Sequence, residues 1–146
     1  MAIEIDPLQC PPEALNQDFF LFPASEKFAT IIGNPPYVRY QDIPAATRER
    51  LSAEHFDARS NLYLFFIEKC LRHLLPGGEL IFITPRDFLK ATSAVRLNRL
   101  LHAAGTITDF IELGDARIFA GATPNCAIWR FERDNFSRRT RYEAGG

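Results

Sequence analysis

Two short runs, FATIIG at residues 28–33 and ELIFIT at 79–84, do most to restrict what this chain can fold into. Both are of strand length and mostly apolar, and prolines stop both: Pro35 and Pro36 after the first, Pro85 after the second. A strand with one wet face alternates polar and apolar residues, whereas a near-continuous apolar run reads as a strand covered on both sides. Residues 61–75 between them read as a helix. Ser60 or Asn61 can cap it, Leu64, Ile67, Leu71 and Leu74 form its stripe, and Pro76-Gly77-Gly78 ends it. Buried strands joined through a helix indicate an α/β domain with a mainly parallel sheet. The remaining pattern agrees. Residues 2–5 form a short apolar start, 18–22 an apolar cluster stopped by Pro23, and 45–55 have helical composition. Residues 93–104 read as a helix with Val95, Leu97, Leu100 and Leu101 that ends at Gly105, and 106–113 and 125–131 read as two further strands.

Length and composition narrow the function classes. The 146 residues suffice for one domain, and 47% apolar with 24% charged residues excludes a disordered chain, a collagen-like repeat or a coiled coil. The longest aliphatic and aromatic run, 62–67, is far short of the ~20 residues that span a bilayer. The first six residues carry Glu4 and Asp6 and no base, so they do not read as a secretory signal. Cys10, Cys70 and Cys126 are widely spaced, with neither a metal pattern nor an even disulfide set, and a reduced, cytoplasmic protein is expected. The net charge of −1 argues against a stand-alone nucleic-acid binder. Charge is uneven, however. Residues 1–34 carry net −4, and 130–141 carry net +3 through Arg130, Arg133, Arg138, Arg139 and Arg141. The basic stretch reads either as a solvated terminus or as a phosphate-contacting edge.

Asn34-Pro35-Pro36-Tyr37 follows directly on the 28–33 strand. In open α/β sheets the ligand crevice lies beyond the carboxyl ends of the strands, so this is where a site belongs. A Pro-Pro turn with a packed tyrosine is the plain alternative. The tetrapeptide at a strand end resembles the catalytic motif of S-adenosylmethionine-dependent amino-methyltransferases, notably the N6-adenine-specific DNA methyltransferases of type II restriction–modification systems. The resemblance implies that Asn34, Pro35, Pro36 and Tyr37 are catalytic. An adenine amino group is a poor nucleophile because its lone pair is delocalised into the ring. The Asn34 amide oxygen and the Pro35 carbonyl can accept both amino hydrogens and turn the lone pair towards the sulfonium methyl. Consecutive prolines fix φ and so preset the carbonyl direction. Tyr37 offers a π-face for a flipped base, and such stacking is worth roughly 1–3 kcal/mol.

The resemblance runs along most of the chain. The stretch from Ala2 to Pro7 resembles the second-strand motif, which places Glu4 on the cofactor ribose hydroxyls. Gln17-Asp18-Phe19-Phe20 resembles the segment that reads the cofactor adenine: Asp18 accepts from its amino group and Phe19 packs on its ring. Within Ser60–Lys69, Phe66 matches the aromatic that closes over that adenine. Residues 85–89 match in shape only. Phe119, ahead of Thr123-Pro124-Asn125-Cys126-Ala127-Ile128, takes the role of the aromatic that stacks the target base opposite Tyr37. Each position also reads as ordinary packing or a solvated side chain. The implied fold is the Rossmann-like class I S-adenosylmethionine-dependent methyltransferase fold. The implied partners are S-adenosylmethionine and double-stranded DNA with a flipped adenine, with no metal and no membrane.

The chain departs from the family in lacking the aromatic-x-Gly-x-Gly loop after the first strand and the target-recognition region. Residues 1–146 thus read as a partial catalytic domain. The family's sheet order is 3-2-1-4-5-7-6, so residues 2–5 and 28–33 are expected to flank a gap where strand 1 belongs, each with an unpaired apolar edge. An inactive, marginally stable isolated chain is expected, or a second polypeptide that supplies the strand and cofactor loop. An N5-glutamine or RNA-base methyltransferase, and a non-catalytic remnant, are the competing readings.

Overall fold

A computed structural model describes residues 1–51, 56, 60–114 and 125–144. In chain order its elements are β1 (Ile3–Glu4), β2 (Leu15–Asn16), β3 (Phe28–Gly33), α1 (Ala45–Arg48), α2 (Leu62–His73), β4 (Leu74–Pro85), α3 (Val95–Ala104), β5 (Gly105–Glu112), β6 (Cys126–Arg133) and β7 (Arg141–Ala144). β3 has the limits expected from FATIIG. α2 is shorter than the 61–75 reading and stops at His73, with Leu74 already extended and paired to Phe28. Pro76 disfavours the helical region for the residue before it, so the chain leaves the helix before the Pro-Gly-Gly turn. That turn bulges out of the β3–β4 ladder between the Phe28 and Thr30 pairings, with Gly77 at φ 70°. In the 45–55 stretch the helix covers only Ala45–Arg48, and 52–55 lie outside the described residues.

Five strands form one sheet in the order β3-β4-β6-β5-β7, while β1 and β2 form a separate parallel pair. The first four positions reproduce the 4-5-7-6 part of the expected order. The expectation of a mainly parallel sheet holds: β3, β4, β5 and β7 run in one direction, and of the five strands only β6 runs antiparallel, to both β4 and β5. A helix, α3, carries the chain back from the end of β4 to the start of β5, so these two strands point the same way. β7 was not anticipated from its exposed, charged sequence RYEA.

One sheet face holds the core. Leu80, Phe82 and Thr84 of β4 and Ala127, Trp129 and Phe131 of β6 are essentially inaccessible, packed with Leu64 and Ile67 of α2 and Leu97 of α3. The Trp129 indole N–H donates to Thr84 Oγ1 (3.0 Å), and its ring stacks on Phe88 with centroids 5.1 Å apart. Gly105 is required by close approach: a Cβ there would fall on the Glu132 carbonyl oxygen, with the Phe131 ring at 2.9 Å. The other face carries charge. Arg130 pairs with Glu79, Asp109 and Glu132, and Arg141 with Asp109 and Glu143. Arg133 donates to the Leu74 carbonyl, and Arg138 to the carbonyls of His102 and Gly105 at the end of α3. Four of the five arginines in 130–141 therefore bind this chain's own groups, which favours neither a loose solvated tail nor a phosphate-contacting edge. Among the described residues no helix is long and apolar enough to cross a membrane.

The second face of α2 holds the 18–28 segment. Lys69 Nζ donates to the Phe22 carbonyl (2.8 Å) and lies over the Phe19 ring at 5.0 Å. His73 is 1% exposed, among the rings of Phe19, Phe22 and Phe28, with Nδ1 2.7 Å from the Glu26 carbonyl. A carbonyl can only accept, so Nδ1 carries the proton of a neutral ring. Burial pushes the His73 pKa below its ordinary value, and Lys69, Lys27 and Arg72 push it the same way. The unfolded chain therefore binds this proton first. Stability contributed by the neutral ring is complete above about pH 6.5 and is lost as pH falls from there towards the folded-state pKa. Urea unfolding at pH 7.5 and 5.5 is expected to show lower stability at 5.5, with His73→Gln reducing the difference. A wild-type chain equally stable at both values would contradict this.

The two sheets do not join. Between β1 and β3 lies a cavity of about 300 Å³ lined by Ala2, Ile3, Phe22, Ile31 and Phe82, among others. Among the described residues β3 is paired on one side only, by β4, and its Ile32 is 73% exposed. This is the place where the sheet order anticipated a gap.

Candidate active site

The site begins where β3 ends. Gly33 pairs with Phe82, and a Cβ on it would meet that ring at 3.1 Å, so the turn closes tightly over β4. Asn34 follows exposed, Pro35 is fully buried, Pro36 is half-buried and Tyr37 is 45% exposed. The buried proline anchors the turn while its neighbours face outward. The Tyr37 hydroxyl donates to the Ile83 carbonyl near the end of β4 (2.9 Å), and its ring lies 5.9 Å from that of Tyr63 on α2. Burial of the phenol raises its pKa, so the hydroxyl stays protonated and remains a donor. Tyr37 is thus tethered at its tip with much of the ring accessible. Its stacking partner in the sequence reading, Phe119, lies outside the described residues, as do Thr123 and Pro124.

A second cavity, about 380 Å³, lies against the turn and is lined by Glu4, Asp18, Phe19, Asn34, Pro36 and Phe66, with Ile5, Thr47 and Leu62 also contributing. This is within the roughly 300–1,000 Å³ usual for small-molecule sites. The cavity brings together every position named for cofactor binding and two from the Asn-Pro-Pro-Tyr turn. Glu4 accepts from the Asp6 N–H through Oε1 (2.9 Å), leaving Oε2 open. The rings of Phe19 and Phe66 touch each other, with centroids 4.6 Å apart, and form one aromatic wall.

Asp18 is more constrained than the sequence suggested. It is 8% exposed, and its Oδ1 accepts the Phe20 N–H (2.9 Å) as the cap of a short 3-10 turn. Oδ2 accepts from Thr47 Oγ1 (3.1 Å) and from Arg50 (2.7 Å). A carboxylate offers about four acceptor positions, so three donors leave one lone pair, on Oδ1. Thr47 and Arg50 were missed by sequence reasoning. Their one signal is that both fall in the 45–55 stretch of helical composition after the Asn-Pro-Pro-Tyr turn, which says nothing of a carboxylate about thirty positions earlier. The donor set fits a nucleoside: an apolar wall for a base, a carboxylate lone pair for an amino group, and a second carboxylate for ribose hydroxyls. Among the described residues no group of three or more His, Cys, Asp and Glu is arranged to hold a metal ion.

The profile of the Eco57I restriction-modification methylase family matches residues 7–119. Type II methyltransferase M.XhoI of Xanthomonas vasicola is 36% identical over 105 residues, covering 70% of this chain and 19% of its own length. Type II methyltransferase M.TthHB8I of Thermus thermophilus is 32% identical over 148 residues, covering 91% of this chain and 33% of its own. The chain therefore spans a fifth to a third of these relatives. Among solved structures, a candidate class I S-adenosylmethionine-dependent methyltransferase of Listeria monocytogenes superposes with TM-score 0.68 at 20% identity, over 90% of this chain and 40% of that one. The modification subunit of a candidate type I restriction enzyme from Vibrio vulnificus gives TM-score 0.70 at 13% identity, over 90% and 29%. These two likenesses are of fold.

Proposed function

The chain belongs to the Eco57I restriction-modification methylase family, and from that membership we propose that it forms the catalytic part of an enzyme that methylates the N6 amino group of a flipped adenine in double-stranded DNA. The observation that supports this reading is the single cavity shared by Glu4, Asp18, Phe19 and Phe66 with Asn34 and Pro36 of the Asn-Pro-Pro-Tyr turn. S-adenosylmethionine supplies the electrophilic sulfonium methyl. Glu4 holds the cofactor ribose, and Phe19 and Phe66 wall its adenine. The Asn34 amide oxygen and the Pro35 carbonyl accept the two hydrogens of the target amino group, which moves the nitrogen towards tetrahedral geometry and frees its lone pair. Tyr37 stacks on the target ring. Such stacking, worth roughly 1–3 kcal/mol, offsets much of the few kcal/mol that extruding a base costs. The amino proton becomes acidic only once the nitrogen carries the methyl group, so no strong general base is needed, and the proton passes from the oxygen of Asn34 or Pro35 that holds it to solvent as the product departs.

The test is transfer of labelled methyl from S-adenosylmethionine to DNA, RNA and protein substrates by a complete catalytic unit built on this chain. N6-methyladenine in DNA is the expected product. Label in glutamine or in an RNA base would replace this reading with those alternatives.

We further propose that the strand and glycine loop that complete the sheet come from polypeptide outside these 146 residues. The apolar cavity between β1 and β3, and the one-sided pairing of β3, support this. By calorimetry the chain alone is expected to bind S-adenosylmethionine more weakly than micromolar. Adding a peptide with an apolar strand followed by an aromatic-x-Gly-x-Gly turn is expected to raise both affinity and thermal stability. Micromolar binding by the chain alone would overturn the proposal.

A further inference from the structure

The Asp18 carboxylate is where the two halves of the site meet. Asp18 belongs to the segment that walls the cavity. Thr47 and Arg50 belong to the short helical stretch that follows the catalytic turn. Thr47 is 6% exposed and itself lines the cavity, so its hydroxyl is committed to Asp18 rather than to water. Arg50 closes an ion pair with the same oxygen, and ionised partners make this the stronger of the two bonds. Both donors fill Oδ2. Oδ1 keeps the Phe20 N–H and one open lone pair, so the carboxylate is fixed in rotation with a single acceptor position left for a ligand. The turn itself is held by α2, whose Leu62 N–H donates to the Val38 carbonyl just after Tyr37, and Val38 and Pro44, the residue that precedes the helix bearing Thr47, line the same cavity.

We propose that Thr47 and Arg50 are positioning residues for the cofactor. By holding Oδ2 of Asp18 they aim Oδ1 at the 6-amino group of the cofactor's adenine, and they make recognition of that amino group depend on the ordered conformation of the segment after the catalytic turn. The inference rests on the reading that this cavity takes the cofactor's adenosine. A side chain that only braced the fold would alter affinity for every nucleoside alike. A side chain that aims one lone pair alters discrimination between an amino and an oxo group at one ring position, because only the amino group donates there.

The test is titration of the full chain with adenosine and inosine, followed by NMR. Wild type is expected to prefer adenosine by about tenfold, a free-energy difference of about 1.4 kcal/mol. Thr47→Val, which keeps shape and removes the hydroxyl, and Arg50→Gln are expected to bring the ratio to within about twofold of unity. Thr47→Ser is expected to restore the preference. Full adenosine preference in both variants would overturn the positioning role while leaving the cavity reading intact. Parallel loss of both nucleosides in Thr47→Val, unrescued by serine, would make the contact a structural strut and overturn it too. No discrimination by wild type would overturn the cavity reading and the inference together.

Discussion

Asn34→Ala, placed in a complete catalytic unit built on this chain, is expected to lower methyl transfer by about 100- to 1,000-fold, the usual cost of deleting one preorganised polar contact to reacting atoms. Cofactor affinity is expected to change by less than about threefold, since Asn34 contributes to the cavity's edge and not to the wall made by Phe19 and Phe66. The residue is exposed at the carboxyl end of β3, and the turn's hold on the fold comes from buried Pro35 and the tight seat of Gly33 on Phe82, so the variant should fold normally. Single-turnover rates at saturating cofactor, beside calorimetric Kd values, separate the two effects. Equal losses in rate and in cofactor binding would show that Asn34 belongs to the cofactor site instead. Tyr37→Ala should behave similarly but less severely, because stacking contributes roughly 1–3 kcal/mol.

Trp129→Ala is expected to destabilise the fold by about 3–5 kcal/mol, the range for deleting a large buried aromatic. Trp129 is inaccessible in the middle of β6. It packs edge-on against Phe82 and face-on against Phe88, and it is the donor to the fully buried Thr84 hydroxyl. Its loss opens a cavity and removes that hydroxyl's donor in one step. Phe82 seats Gly33, and Thr84 is next to Ile83, whose carbonyl holds Tyr37, so collapse there reaches the Asn-Pro-Pro-Tyr turn. Against the roughly 5–15 kcal/mol that holds an ordinary domain together this is a large fraction, and it is expected to appear as a weakened near-ultraviolet circular dichroism signal and an earlier urea transition. Trp129→Phe, which keeps most of the volume, should retain a folded chain with a smaller loss. An unchanged midpoint in Trp129→Ala would mean that the Phe82–Trp129–Phe88 stack contributes little.

Much of the candidate site was legible because its motifs are local. The Asn-Pro-Pro-Tyr turn needs only a strand that ends and prolines that set the backbone, and both are written in consecutive residues. Glu4, Asp18, Phe19 and Phe66 were named through the resemblance of their segments to family motifs, and all four line one cavity. What Asp18 bonds to was not legible, because its donors Thr47 and Arg50 are ordinary residues of a helical stretch whose facing depends on how the chain is folded back. The arginines of 130–141 mislead for the same reason. In sequence they are a basic run, but pairing β6 beside β4 and β5 sets Arg130 against Glu79 and Asp109, and β7 beside β5 sets Arg141 against Asp109.

By itself, the sequence determined the elements and the chemistry carried in short range: strands stopped by proline, an amphipathic helix between them, and an amide with a preset carbonyl at a strand end. These depend on backbone dihedrals and on periodicities of two and 3.6 residues, which act over a few positions. Only the tertiary structure decided that β6 inserts antiparallel between β4 and β5, that Gly105 must have no side chain, that the carboxylate of Asp18 is held by two donors from beyond the catalytic turn, and that β1 and β3 stand apart with an apolar cavity between them. Those outcomes are set by which surfaces meet across long stretches of chain, and contacts of that kind leave no period in the sequence to be read.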